Sequence, residues 1–132
     1  MPVRLTVEND YGFRLVEYLL NADRVVPASE LSEALEIPLR FTLKILRKLN
    51  LAGLTIAKRG ANGGYMMARP GVPVSLYEVI EATQGPIILN RCIEDPENCN
   101  MRRTSTCDVH EQLLEIQKNL VRDLKAAKIE RK

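Results

Sequence analysis

The sequence predicts a mostly α-helical fold that carries a small β-hairpin wing and ends in one long helix. Apolar residues recur at three- and four-residue intervals through most of the 132-residue chain. One glycine-rich stretch, "KRGANGG" (58–64), is flanked by short β-prone runs. Near the end, Val109, Leu113, Ile116, Leu120, Leu124 and Ala127 follow alternating steps of four and three, broken by one extra step of four.

"LTVENDYGFRLVEYLLNAD" reads as the first helix, with Thr6 as N-cap and Phe13, Val16, Leu19 and Leu20 at helical spacing. Gly12 costs that helix a little, unless another group must approach closely. In "VVPASELSEALEIP" Pro27 precedes a short second helix, Ser29 is its candidate cap, and Leu31, Ala34 and Leu35 give it an apolar side. Pro38 opens a third helix, about Leu39 to Ala52, and Gly53 ends it. At 100° per residue Arg40, Lys44, Arg47 and Lys48 fall on one arc of about 100°. Leu39, Leu43, Leu46 and Leu49 are expected on the core side.

Two short strands, 54–57 and 65–68, then form a hairpin with Lys58, Arg59 and Asn62 at its tip, where glycines supply positive φ. "VSLYEVIEATQGP" is a fourth helix, capped by Ser75 with Glu78 completing a capping box. A polar loop follows, and a final helix of roughly 23 residues, ~35 Å, is expected from about Thr106 nearly to the end. The implied parts are a winged helix-turn-helix over 1–85, a cysteine-containing loop over 86–105 and a dimerisation helix over 106–132.

Charge points to the partner. The net charge is only +2, yet from Ile37 to Tyr77 all the charged residues are basic: Arg40, Lys44, Arg47, Lys48, Lys58, Arg59 and Arg69. All 17 carboxylates lie elsewhere. An ordinary solvated helix mixes signs, so this segregation predicts a polyanion as partner, and the layout names double-stranded DNA. The third helix would present cations to the major groove, and the wing would set Lys58 and Arg59 against phosphates or the minor groove. The candidate contacts are Ser29, Arg40, Lys44, Arg47 and Lys48 on the helix pair, with Lys58, Arg59 and Asn62 on the wing.

All three cysteines, Cys92, Cys99 and Cys107, fall within twenty residues together with the sole histidine, His110. No apolar run approaches the roughly 20 residues that span a membrane, and "MPVRLTVEND" does not resemble an export leader. A cytoplasmic location is expected, where disulfides are rare; three is also an odd number for a disulfide framework. Inert burial is a common fate for cysteine, but this loop is polar. Zinc would accept three thiolates and an imidazole, though its ligands usually come in tight doublets. Here six and seven residues separate the cysteines, a looser spacing that suits an iron–sulfur cluster somewhat better. Redox-active thiols remain a third reading. Nothing resembles a nucleophile–base pair, so an enzyme is not expected.

"DYGFRLVEYLL", "IPLRFTLKILRKLNLAGL", "KRGANGGYMMAR" and "SLYEVIEATQGP", in that order, resemble the Rrf-type winged-helix transcription regulators. The likeness covers essentially the whole chain, and the three-cysteine loop matches the IscR/NsrR/RirA-like branch that binds iron–sulfur clusters. It implies a homodimer formed through the last helix, binding to palindromic promoter DNA, and Arg59 in the minor groove. It also implies a two-iron or four-iron cluster on Cys92, Cys99 and Cys107. The fourth ligand would be His110 or an aspartate from the partner subunit's first helix, here Asp10. The alternative is a cluster-free regulator controlled by a protein or small molecule, with zinc or redox-active thiols in the loop.

Overall fold

The computed structural model describes residues 4–132. Helix α1 (Val7–Ala22) starts at Thr6, whose hydroxyl accepts from the Asn9 amide while the Asn9 side chain accepts from the Thr6 amide. That reciprocal cap satisfies two N–H groups that the first helical turn leaves open. Asn9 is fully buried, and its Nδ2 also donates to Thr83 Oγ1 at 2.7 Å, joining α1 to α4 (Leu76–Gln84). Gly12 lets the two helices close: a Cβ there would lie 2.8 Å from Val79 Cγ1 and 3.1 Å from Thr83 Cγ2. The expected close approach is therefore real, and its partner is α4.

Helix α2 (Ala28–Leu35) is capped by the backbone of Pro27, with no side-chain hydrogen bond. The expected Ser29 cap is corrected. Pro27 already holds the extended geometry a cap needs, so the helix starts earlier and Ser29 sits inside its first turn. Leu31 is buried, whereas Ala34 is exposed. The turn to α3 (Leu39–Leu51) uses Glu36 at φ 55° and is tied by Ser32 Oγ donating to the Ile37 carbonyl at 2.5 Å.

The buried face of α3 is Thr42, Ile45, Leu46 and Leu49. Leu46 and Leu49 are core as expected, but Leu39 and Leu43 are 47% and 44% exposed, which corrects their assignment. Thr42 can take an inward place because its hydroxyl is satisfied by the Pro38 carbonyl at 3.2 Å, and the core stripe runs through Thr42, Ile45, Leu46 and Leu49, leaving the two leucines to one side of it. Together with Leu15, Val16, Leu19, Leu20, Leu31, Val79 and Met67, this face forms one hydrophobic core.

Strands β1 (Thr55–Lys58) and β2 (Gly64–Met67) pair antiparallel, from Thr55 with Met67 to Lys58 with Gly64. Ser75 and Glu78 form the expected capping box of α4. Beyond α4, a single turn, α5 (Arg91–Glu94), and two 3₁₀ turns make up the polar loop. Helix α6 (Asp108–Ala126) has 19 residues, about 28 Å. It is thus shorter than expected, because it starts at Asp108 and the chain turns extended at Ala127. Strand β4 (Lys128–Ile129) pairs with β3 (Val74–Ser75), and Arg131 reaches Asp23 at 3.2 Å.

Candidate nucleic-acid interface and cysteine cleft

The third helix and the wing are held on one scaffold. Val26, just before α2, exchanges both backbone hydrogen bonds with Tyr65 of β2 at 2.8 Å, so the hairpin is anchored to the helix-turn-helix. At the tip, Gly60 has φ 112°, and a Cβ on Gly63 would collide with the Lys58 and Gly60 carbonyls. Lys58, Arg59 and Asn62 are exposed around that turn. Ser29 is exposed in the first turn of α2, near N–H groups that favour an anion.

The α3 face is not uniformly cationic. Arg40 and Arg47 are exposed and form no ion pair among the described residues. Lys44 Nζ lies 2.8 Å from Glu8 Oε1, and Lys48 Nζ lies 2.5 Å from Glu8 Oε2. The expectation of a face without a balancing acid is corrected: Glu8 of α1, forty positions away from Lys48, folds over it. The two ammonium groups, Lys44 first, hold the Glu8 carboxyl below the usual carboxylate range. Charge counting along the chain does not reveal such a pair, since an acid outside the basic segment supplies it.

The cysteines converge. Cys92 of α5, Cys99 and Cys107 of the loop and His110 in the first turn of α6 line one cleft of about 430 Å³. All three thiols are free and half-buried. His110 Nδ1 is 3.0 Å from Cys92 Sγ. Backbone N–H groups of Arg103 and Met101 hold the Cys99 thiol below its ordinary value, which favours the thiolate. Arg91 and Arg103, not singled out from the sequence, also line the cleft and bring positive charge beside it. Among the described residues, no three donor side chains are grouped tightly enough to hold a single metal ion. Asp10 is not among the residues lining this cleft; on α1 it pairs with Arg14 at 2.8 Å.

Comparison with known proteins now bears on this arrangement. The Rrf2 profile, described as an iron-dependent transcriptional regulator, matches residues 5–131. The chain belongs to the Rrf2 family. Its members regulate transcription by binding DNA and are not enzymes. Among its relatives, protein aau3 of Rhizobium meliloti is 31% identical over 72% of this chain. A protein of Aquifex aeolicus named as an HTH-type transcriptional regulator is 25% identical over 83% of it. The matched stretches span 62% of the Rhizobium protein and 77% of the Aquifex protein. The Bacillus subtilis global cysteine regulator CymR superimposes with a TM-score of 0.73 at 18% identity, covering 97% of this chain and 94% of that one. IscR of T. potens gives 0.70 at 18% identity, covering 98% and 85%. At that identity the likeness shows the fold, a winged helix, as the sequence predicted. Among the described residues no helix is long and apolar enough to cross a membrane.

Proposed function

We propose that this Rrf2-family protein is a cytoplasmic homodimer that binds double-stranded promoter DNA under the control of an iron–sulfur cluster in the cysteine cleft. The observation that carries this reading is the convergence of Cys92, Cys99, Cys107 and His110 on one cleft at the foot of α6. The donors suit such a guest: three thiols, one already biased toward thiolate, around a space too open for one ion and large enough for several atoms. Cys92, Cys99 and Cys107 are its ligands, and His110, which faces the same space, is the fourth. Arg91 and Arg103 offset the negative charge that thiolate ligation gathers there. When bound, the cluster supplies an inorganic centre that responds to iron supply, oxidants or nitric oxide.

The rest of the chain carries that response to DNA. Arg40 and Arg47 are free to approach guanine edges or phosphates in the major groove, and Arg59 reaches the minor groove from the wing. Exposed Val109, Ile116 and Leu120 on α6 need a cover, and a second copy of the same helix is the natural one. The cleft ends where α6 begins, and β4 at the other end of α6 pairs with β3 beside α4. A change at the cleft would therefore reach the helix-turn-helix along α6 and through α4, against which α6 lies and which itself packs on α1 and α3.

Anaerobic purification, followed by a visible spectrum and counts of iron and acid-labile sulfide, tests this reading. A coloured protein carrying both supports it, and Cys99→Ala is expected to be colourless. A colourless protein that holds zinc, or nothing after attempted reconstitution, would leave a cluster-free regulator.

A further inference from the structure

The outward side of α3 divides lengthwise. One strip holds Lys44 and Lys48, both paired with Glu8. The other holds Leu39, Leu43, Arg47 and Arg40, adjacent on the helical wheel and free of ion pairs. Leu39 and Leu43 lie one turn apart, 47% and 44% exposed, at the N-terminal end of the helix. That end of a recognition helix is the part that reaches base edges. Single exposed leucines need no explanation. Two stacked leucines beside two unpaired arginines, on the strip least neutralised by acids, do.

We propose that Leu39 and Leu43 read thymine methyl groups in the major groove, so that each half-site carries thymine opposite the start of α3. The inference rests on the DNA-binding reading and adds the base class that the helix prefers. In the major groove the thymine C5-methyl is the apolar mark among hydrogen-bonding edges, and aliphatic side chains are its complement. Arg40 and Arg47 beside the leucines supply the charge that draws this strip, rather than the Glu8-covered one, toward a polyanion. The same arginines make an apolar protein partner a poor occupant, because their guanidinium groups would have to be dehydrated with it.

The test starts with selection from a randomised duplex library, using the full chain in both its anaerobically purified and cluster-free forms. Thymines of the selected duplex are then replaced one at a time by deoxyuridine, which removes only the methyl. The expected loss is about fourfold at one or two positions per half-site. Leu43→Ala should weaken binding to the thymine duplex by a similar factor and become indifferent to the methyl at its own position, with its helical circular dichroism unchanged. Leu39→Ala should do the same at a neighbouring position. If uracil costs the parent protein nothing, or if both alanine variants keep the full methyl preference, the inference is overturned while DNA binding stands. Failure of both forms to enrich any duplex overturns the DNA-binding reading and this inference with it.

Discussion

Lys48 Nζ lies 2.5 Å from a Glu8 carboxylate oxygen and 3.0 Å from the Thr83 carbonyl, so one ammonium joins α1, α3 and α4. Glu8 takes Lys44 with its other oxygen at 2.8 Å. Two of the four cations on α3 are thus partly neutralised before any DNA arrives. Glu8→Gln removes that competitor while keeping the shape. Non-specific duplex affinity at low salt should rise, and the slope of log affinity against log salt should steepen by about 1 to 2. An unchanged slope would mean that Lys44 and Lys48 never meet phosphate.

The same carboxylate gives stability a pH signature. Its folded pKa is depressed below 4.5, so the unfolded chain takes up the proton first. The contribution is therefore fully present above about pH 5, and it is lost as pH falls from 4.5 through the depressed folded value. With the Glu8 side chain 27% exposed, its size is on the order of 1 kcal/mol. Thermal melts from pH 7 to 3 should show the parent losing stability relative to Glu8→Gln below that point. Parallel curves would sink the assignment.

Local features of the fold were legible, and features made by distant pairing were not. The caps at Thr6 and Ser75, the hairpin around "KRGANGG" and the helical period of α6 depend on neighbours within a few positions, so periodicity and turn chemistry report them. Glu8 on Lys48 and Asn9 on Thr83 join residues 40 and 74 positions apart, and no window along the chain contains both. Leu39 and Leu43 were misassigned because the wheel counts polarity alone. Thr42, whose hydroxyl is satisfied by its own helix, could replace a leucine in the core. For the cleft, the sequence supplied the donors; the placement of Arg91 and Arg103 beside them depends on how the loop folds.

Gly12 is where α1 and α4 come closest. Gly12→Ala gains about 1 kcal/mol of helix propensity. It also sets a methyl 2.8 Å from Val79 Cγ1, inside a packed contact where overfilling costs about 1–3 kcal/mol. The expected net effect is destabilisation by about 1 kcal/mol, read from urea denaturation. Stabilisation would mean that the two helices separate freely.

For the proposed cluster, His110 and Asp10 are rival candidates for the fourth ligand, and they are placed differently. His110 lines it, 3.0 Å from Cys92 Sγ, whereas Asp10 is engaged with Arg14 and would have to come from a second copy. His110→Ala should lower iron per chain and shift the visible bands, and Asp10→Ala should leave both unchanged. The reverse pattern would move the ligand onto the partner subunit and make cluster retention depend on dimer concentration.

The apolar stripe of α6 predicts how the chain assembles. Ile116 is 54% and Leu120 38% exposed in the single chain, and α6 has no buried residue. Ile116→Glu should therefore leave the fold intact, since the new carboxylate remains in water. In a paired seam that charge would be dehydrated against another copy of itself, and dimer dissociation should increase by at least about a hundredfold. Binding to a palindromic duplex should weaken by a further 10²–10⁴, because two half-sites are no longer held by one linked molecule. Sedimentation velocity and duplex titration separate these effects. A variant that sediments as the parent does would show that something other than a second α6 covers this stripe.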